Sequence, residues 1–125
     1  MDTSRMLLLG VAFAGLAVVA GAFGAHMLKP VFDATMLGVF ETAVRYQMYH
    51  ALALCVVASI GERYPKSRVA AVGWLFVLGV VLFSGSLYGL SVSGMKWMGA
   101  FTPLGGAAWI AGWVLLAWTV GRSRP

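Results

Sequence analysis

Four apolar runs, at residues 6–23, 43–60, 69–90 and 102–120, constrain this chain more than any other feature. Each is about 18 to 22 residues long, and at about 1.5 Å of rise per residue such a helix crosses a hydrocarbon core of about 30 Å. The runs show no sustained alternation with a period of two and are too long for barrel strands. A soluble helical bundle needs a polar face on each helix, and the first, third and fourth runs have none. Composition agrees: at 125 residues and 61% hydrophobic, the five Trp and seven Phe exceed what a soluble core of this size buries. The pattern predicts an all-α membrane protein, a compact bundle of four transmembrane helices. The spans fall at about 6–26, 43–60, 69–90 and 102–120, in one domain.

Punctuation between the runs fits this reading. Pro30 ends the first span, and Asp33 or Thr35 caps the next helix. Residues 34–45 carry a mixed face, which allows an interfacial helix before the second span, with a bend at Gly38. Pro65 closes the next loop, and Pro103 sits where a first-turn proline opens the fourth helix. Lys96, Trp97 and Phe101 at one end, with Trp118 and Arg122 at the other, suit interfacial anchoring. The first run has the parts of a secretory signal, with Arg5 before it and an Ala20-Gly-Ala22 site. His26 follows that site directly, and an uncleaved first span is expected. Small residues recur every four positions at Ala17, Gly21 and Ala25, at Gly85 and Gly89, and at Ala108 and Gly112. This spacing predicts helix packing by close backbone approach. The single cysteine, Cys55, cannot form an intrachain disulfide and reads as a small packing residue.

The net charge of +5 is scattered over loops and ends, unlike a footprint for phosphates, so nucleic acid is excluded as a partner. The bases instead report topology. Arg5, Arg63, Lys66, Arg68, Arg122 and Arg124 fall on the side of the termini, against Lys29, Arg45 and Lys96 on the other. The positive-inside rule then places both termini in the cytoplasm.

Chemistry concentrates in Glu41-Thr-Ala-Val-Arg45-Tyr46-Gln47-Met-Tyr49-His50, which carries polar groups straight into an apolar helix. On a helical wheel Glu41, Arg45 and Tyr49 form one stripe and Tyr46, Gln47 and His50 an adjoining one, a polar arc expected to face the first span. Glu41 four residues before Arg45 is the favourable order for an ion pair. With His26 and Tyr88, these residues make a candidate polar network or ligand site. One reading is structural: a network locking the ends of spans one and two. The other is a redox or small-ligand site holding haem, quinone or a metal, with His50 as its sharpest member because an ionisable group lies deep in a span. Bis-histidine haem needs both rings at one iron, whereas His26 sits near the surface and His50 about 10 Å lower; no C-x-x-C-H is present either. Two imidazoles and few acids are a poor metal set, so neither metal nor cofactor is expected. Nucleophile-elbow, phosphate-loop and dinucleotide motifs are missing from the sequence, and no catalytic residue is assigned. A small transporter or oligomeric channel is a further alternative, but ionisable groups occupy only one half of the spans.

Four motifs carry a resemblance. They are Gly21-Ala-Phe-Gly24-Ala-His26, Phe40-Glu-Thr-Ala-Val-Arg-Tyr46-Gln47-Met-Tyr49-His50-Ala-Leu, Phe83-Ser-Gly-Ser-Leu-Tyr88 and Thr102-Pro-Leu-Gly105-Gly106. In this order they resemble the domain-of-unknown-function 423 family of small inner-membrane proteins, which is similar to the vertebrate transmembrane protein 256. The resemblance implies a four-helix, multi-pass protein of a bacterial-type cytoplasmic (inner) membrane, and supplies no reaction or binding site. The expected function is non-catalytic: an accessory, assembly or scaffolding subunit whose partners are the lipid bilayer and other membrane proteins or itself. Trp74, Trp97, Trp109, Trp113 and Trp118 offer the aromatic surface for such contacts.

Overall fold

The computed structural model describes residues 1–122. Helix α1 (Thr3–Phe23) runs on through a wider π-type turn, Gly24–Leu28. Helix α2 (Ala34–Ile60) ends in a 3-10 turn, Gly61–Arg63. Helix α3 (Lys66–Gly79), a second π-type turn (Val80–Ser84) and α4 (Gly85–Ser93) follow one another without a break. A 3-10 segment, Lys96–Ala100, then leads into α5 (Thr102–Arg122). Four helices are long and apolar enough to cross a membrane: Thr3–Leu28, Ala34–Arg63, Lys66–Ser93 and Lys96–Arg122. Among the described residues there is no strand.

Local chemistry sets the helix ends. The Asp2 carboxylate accepts the Arg5 amide N–H at 2.8 Å, and Asp33, rather than Thr35, caps α2 by accepting from Met36 at 2.7 Å. Each satisfies an amide that the first turn leaves without a partner. Gly94, at φ 71°, supplies the left-handed residue that ends α4. The stretch before the second span forms one helix with it, because α2 is unbroken from Ala34 through Gly38. A glycine costs about 1 kcal/mol in a helix interior, too little to break a 27-residue helix capped at its start.

Two helix pairs are drawn together by glycine. On one side α1 lies along α2. A methyl at Gly10 would meet the Ala51 carbonyl oxygen at 2.9 Å and Cys55 Sγ at 2.7 Å, so Cys55 lies directly against α1. On the other side α5 lies along α3. There Gly79 sits beneath the Trp109 indole, Gly105 against the Phe83 backbone, and Gly112 against the Phe76 ring, which a methyl at Gly112 would meet at 2.7 Å. Between the pairs Met6, Leu54, Val57, Val72 and Phe76 are fully buried. Of the other small residues, Ala17 and Ala108 are buried and Gly21 faces Val44. Ala25 and Gly85 are instead exposed, and Gly89 receives the Met98 thioether from the 3-10 segment rather than another helix. Ala25 lies within one π-type turn and Gly85 directly follows the other, and the extra residue in such a turn rotates these positions off the contact stripe.

The basic residues sort by end. The Thr3 hydroxyl donates to the Glu62 carboxylate at 2.9 Å, joining the N-terminus to the turn after α2. The guanidinium groups of Arg68 and Arg122 both lie over Trp118, at 4.4 and 4.8 Å. Arg5, Arg63, Lys66, Arg68 and Arg122 therefore gather at one end of the bundle, here called proximal, with Lys29 and Lys96 at the distal end. Arg124, counted with the proximal bases, lies outside the described residues.

Candidate functional site

Helix α2 contacts α1, α3 and α4, and its buried positions Phe40, Ala43, Gln47, His50, Leu54 and Val57 follow three- and four-residue steps. Two of these are polar, and both reach neighbouring helices. Gln47 Nε2 donates to the Phe13 carbonyl of α1 at 2.8 Å, while its Oε1 accepts from the Tyr88 hydroxyl of α4 at 2.7 Å. One amide thus joins three helices. Ser84, wholly buried in the second π-type turn, donates to the Ala43 carbonyl at 2.8 Å.

His50 is held on both nitrogens. Nδ1 lies 2.8 Å from the Tyr46 carbonyl one turn earlier, and Nε2 lies 3.1 Å from the indole nitrogen of Trp113 on α5. A carbonyl only accepts and an indole N–H only donates, so this network assigns the proton to Nδ1 and the lone pair to Nε2. The ring stacks flat on Trp109, with centroids 3.8 Å apart and planes 2° from parallel, and meets Phe76 edge-on. Trp109 in turn donates to the Phe76 carbonyl at 3.1 Å. Among the described residues no buried side-chain nitrogen or oxygen lacks a partner. That completeness is what hydrocarbon surroundings require, since lipid offers no replacement hydrogen bonds. Helix carbonyls serve as acceptors because each keeps a second lone pair.

The sequence-derived set does not form one site. Gln47, His50 and Tyr88 belong to the buried network. Tyr46 and Tyr49 are exposed and meet edge-to-face at 5.6 Å; Tyr46 supplies His50 with its backbone carbonyl, not its phenol. Glu41 and Arg45 are exposed, with no ion pair between them, and flank a notch beside Gly21 and Gly24. His26 is exposed in the first π-type turn and takes no part in the network. Gln47 hydrogen-bonds the first span, and Glu41 and Arg45 border it across the notch, on the side the helical wheel predicts. His50 turns to α5 instead, because the glycine seats at 79, 105 and 112 bring α5 close enough for two indoles to reach α2.

Ser84, Trp109 and Trp113 are the network members that sequence reasoning missed. The available signal was position: Trp109 and Trp113 are four residues apart in the middle of a span, whereas tryptophan that only anchors belongs at the interface. Trp109 is only 4% exposed and so leaves the set of outward-facing indoles. A cleft of about 560 Å³ also opens between α1 and the α3–α4 helix, lined by Phe13, Val19, Phe23 and Val80, with Gln47 and Tyr88 in its wall. Among the described residues no three His, Cys, Asp or Glu side chains cluster as a metal set.

Fold and site together define a class: a small four-span helical membrane protein, cross-braced by a buried network of amide, imidazole, indole and hydroxyl groups. The chain belongs to the family described as Protein of unknown function (DUF423), which matches residues 20–106. This agrees with the resemblance carried by its four motifs. It is similar to the UPF0382 membrane protein YwdK of Bacillus subtilis, with 48% identity over 88% of this chain and 90% of that protein. It is also similar to the UPF0382 inner membrane protein YgdD of Escherichia coli, with 39% identity over 91% of this chain and 88% of the relative. A UPF0382 membrane protein of Staphylococcus saprophyticus is 44% identical over 88% of the chain and 91% of its own length. No solved structure matches.

Proposed function

We propose that this protein is a non-catalytic accessory, assembly or scaffolding subunit that packs against other membrane proteins, or against itself, in a bacterial-type cytoplasmic membrane. One observation carries this reading: the groups best suited to chemistry are engaged inside the bundle. His50 has both nitrogens in hydrogen bonds, and Gln47, Ser84 and Tyr88 are each spent on joining helices. The outer surface is left for partners. Leu8, Val11, Val18 and Val19 of α1 and the indoles of Trp74, Trp97, Trp113 and Trp118 are all more than 40% exposed. The test is affinity isolation of the tagged full-length protein from native membranes after chemical crosslinking. A reproducible larger species, with its second component identified, supports the proposal; monomer alone contradicts it.

The second reading, a redox or small-ligand protein, draws on the cleft beside Gln47 and Tyr88. At His50 a haem or metal would have to displace the Trp113 indole from Nε2. An absorption spectrum, a metal analysis and solvent extraction of the purified protein separate the readings. A haem band, a stoichiometric metal or a co-extracted quinone would favour the second.

A further inference from the structure

Beyond the packing role, the Glu41–Arg45 notch has the chemistry of a lipid headgroup site. It holds about 220 Å³ and is lined by Gly21, Gly24, Phe40, Glu41, Val44 and Arg45. Its floor exists because two residues lack side chains: a methyl at Gly24 would sit 2.8 Å from the Phe40 ring, and one at Gly21 would sit 3.3 Å from Val44. Its walls carry one carboxylate and one guanidinium that the protein does not use. They stand in the order that favours a helical ion pair, yet the only ion pair among the described residues joins Arg5 to Asp2.

Depth gives the pair a direction. Helix α2 begins at the distal end, so Glu41 is the outer charge and Arg45 lies one turn, about 6 Å, further in. Across the notch Gly24 lies about 6 Å from the distal end of the first helix at Leu28, at the level where headgroups give way to hydrocarbon. A charge there needs a partner, and a guanidinium fork matches phosphate bidentately. We infer that the notch seats the headgroup of a phosphatidylethanolamine, with its phosphate on Arg45 and its primary ammonium on Glu41. The vertical order agrees, since in this lipid the phosphate adjoins the glycerol and the ammonium lies outside it. Phosphatidylglycerol has no cation for Glu41, and a choline headgroup has no N–H to donate. One to two turns deeper the same flank is apolar and open, with Val18 and Leu52 exposed for the acyl chains.

The test reconstitutes the purified full-length protein into vesicles of equal phosphatidylethanolamine, phosphatidylglycerol and phosphatidylcholine, and counts retained lipids by native mass spectrometry. One phosphatidylethanolamine is expected to stay bound in preference to the other two. Glu41→Gln should lower the preference over phosphatidylglycerol roughly three- to fivefold, the size of an exposed ion pair. Arg45→Gln should lower retention of all three lipids, and Lys29→Gln, a distal base outside the notch, should change nothing. Both charges are exposed, so unchanged unfolding midpoints should accompany these effects. Equal retention of phosphatidylglycerol by the wild type, or an undiminished preference in Glu41→Gln, overturns the inference.

Discussion

At the scale of single residues, His50 shows why a buried imidazole need not be a reactive one. Its ring is fixed by a carbonyl, an indole N–H and a stacked indole, so each feature that makes histidine versatile is already engaged. Trp113→Phe keeps an aromatic ring and removes the donor, leaving Nε2 without a partner. It should destabilise the protein by about 1 kcal/mol, within the range of inter-helix hydrogen bonds in membranes. A double-mutant cycle with His50→Phe, read by unfolding in detergent, checks this; an absence of coupling would contradict a stabilising bond between the two rings. Outside the spans, Asp2 makes a different prediction. The Arg5 amide that it accepts, with the Arg5 guanidinium adding to it, holds the Asp2 carboxyl below its usual range. With a lowered folded value, the cap is fully present above the ordinary value of about 3.8 and is lost as pH falls through the folded one. The protection of the Arg5 amide against hydrogen exchange, relative to its intrinsic rate at each pH, should therefore fall in acid in the wild type. It should stay flat in Asp2→Asn, whose side-chain oxygen caps without titrating. At this scale the sequence made Gln47 and His50 legible as inward polar groups, because helical periodicity orders residues around their own helix. Their partners were not legible, since a wheel for α2 says nothing about which neighbour brings an indole.

At the scale of elements, glycine placement decides the architecture, and individual glycines have opposite expected effects. Gly105 abuts the Phe83 backbone, which cannot rotate away, so Gly105→Ala should destabilise by about 2 to 3 kcal/mol through forced separation of α5 from the second π-type turn. Gly38 has open space where its side chain would be, and Gly38→Ala should stabilise α2 by up to about 1 kcal/mol. Unfolding midpoints of the two variants, side by side, check the contrast. The spans, the proline positions and the start of α2 near Asp33 were readable from hydropathy, capping and φ constraints alone. The π-type turns were not, because they answer to tertiary contacts. Ser84 reaches the Ala43 carbonyl from within the second turn, and Phe83 presses on Gly105 from the same place. No local propensity announces such a turn, and the two turns are why Ala25 and Gly85 lie off the packing stripe.

At the scale of the whole molecule, the proximal end carries most of the bases and the distal end the Glu41–Arg45 notch. The proposed orientation, both termini cytoplasmic, predicts that a reporter active only in the cytoplasm works when fused after residue 125 and fails when inserted between Lys96 and Ala100; the reverse pattern would invert the protein in the membrane. The central claim is that the polar interior is a closed brace between helices, not a site awaiting a ligand. Nitrogen-15 NMR of the purified, histidine-labelled protein at neutral pH tests this most directly. A closed brace predicts that His50 is neutral, with Nδ1 protonated and Nε2 bare, and that the Nε2 signal shifts in Trp113→Phe. A proton on Nε2, a doubly protonated ring, or a shift produced by bound metal or haem would contradict it.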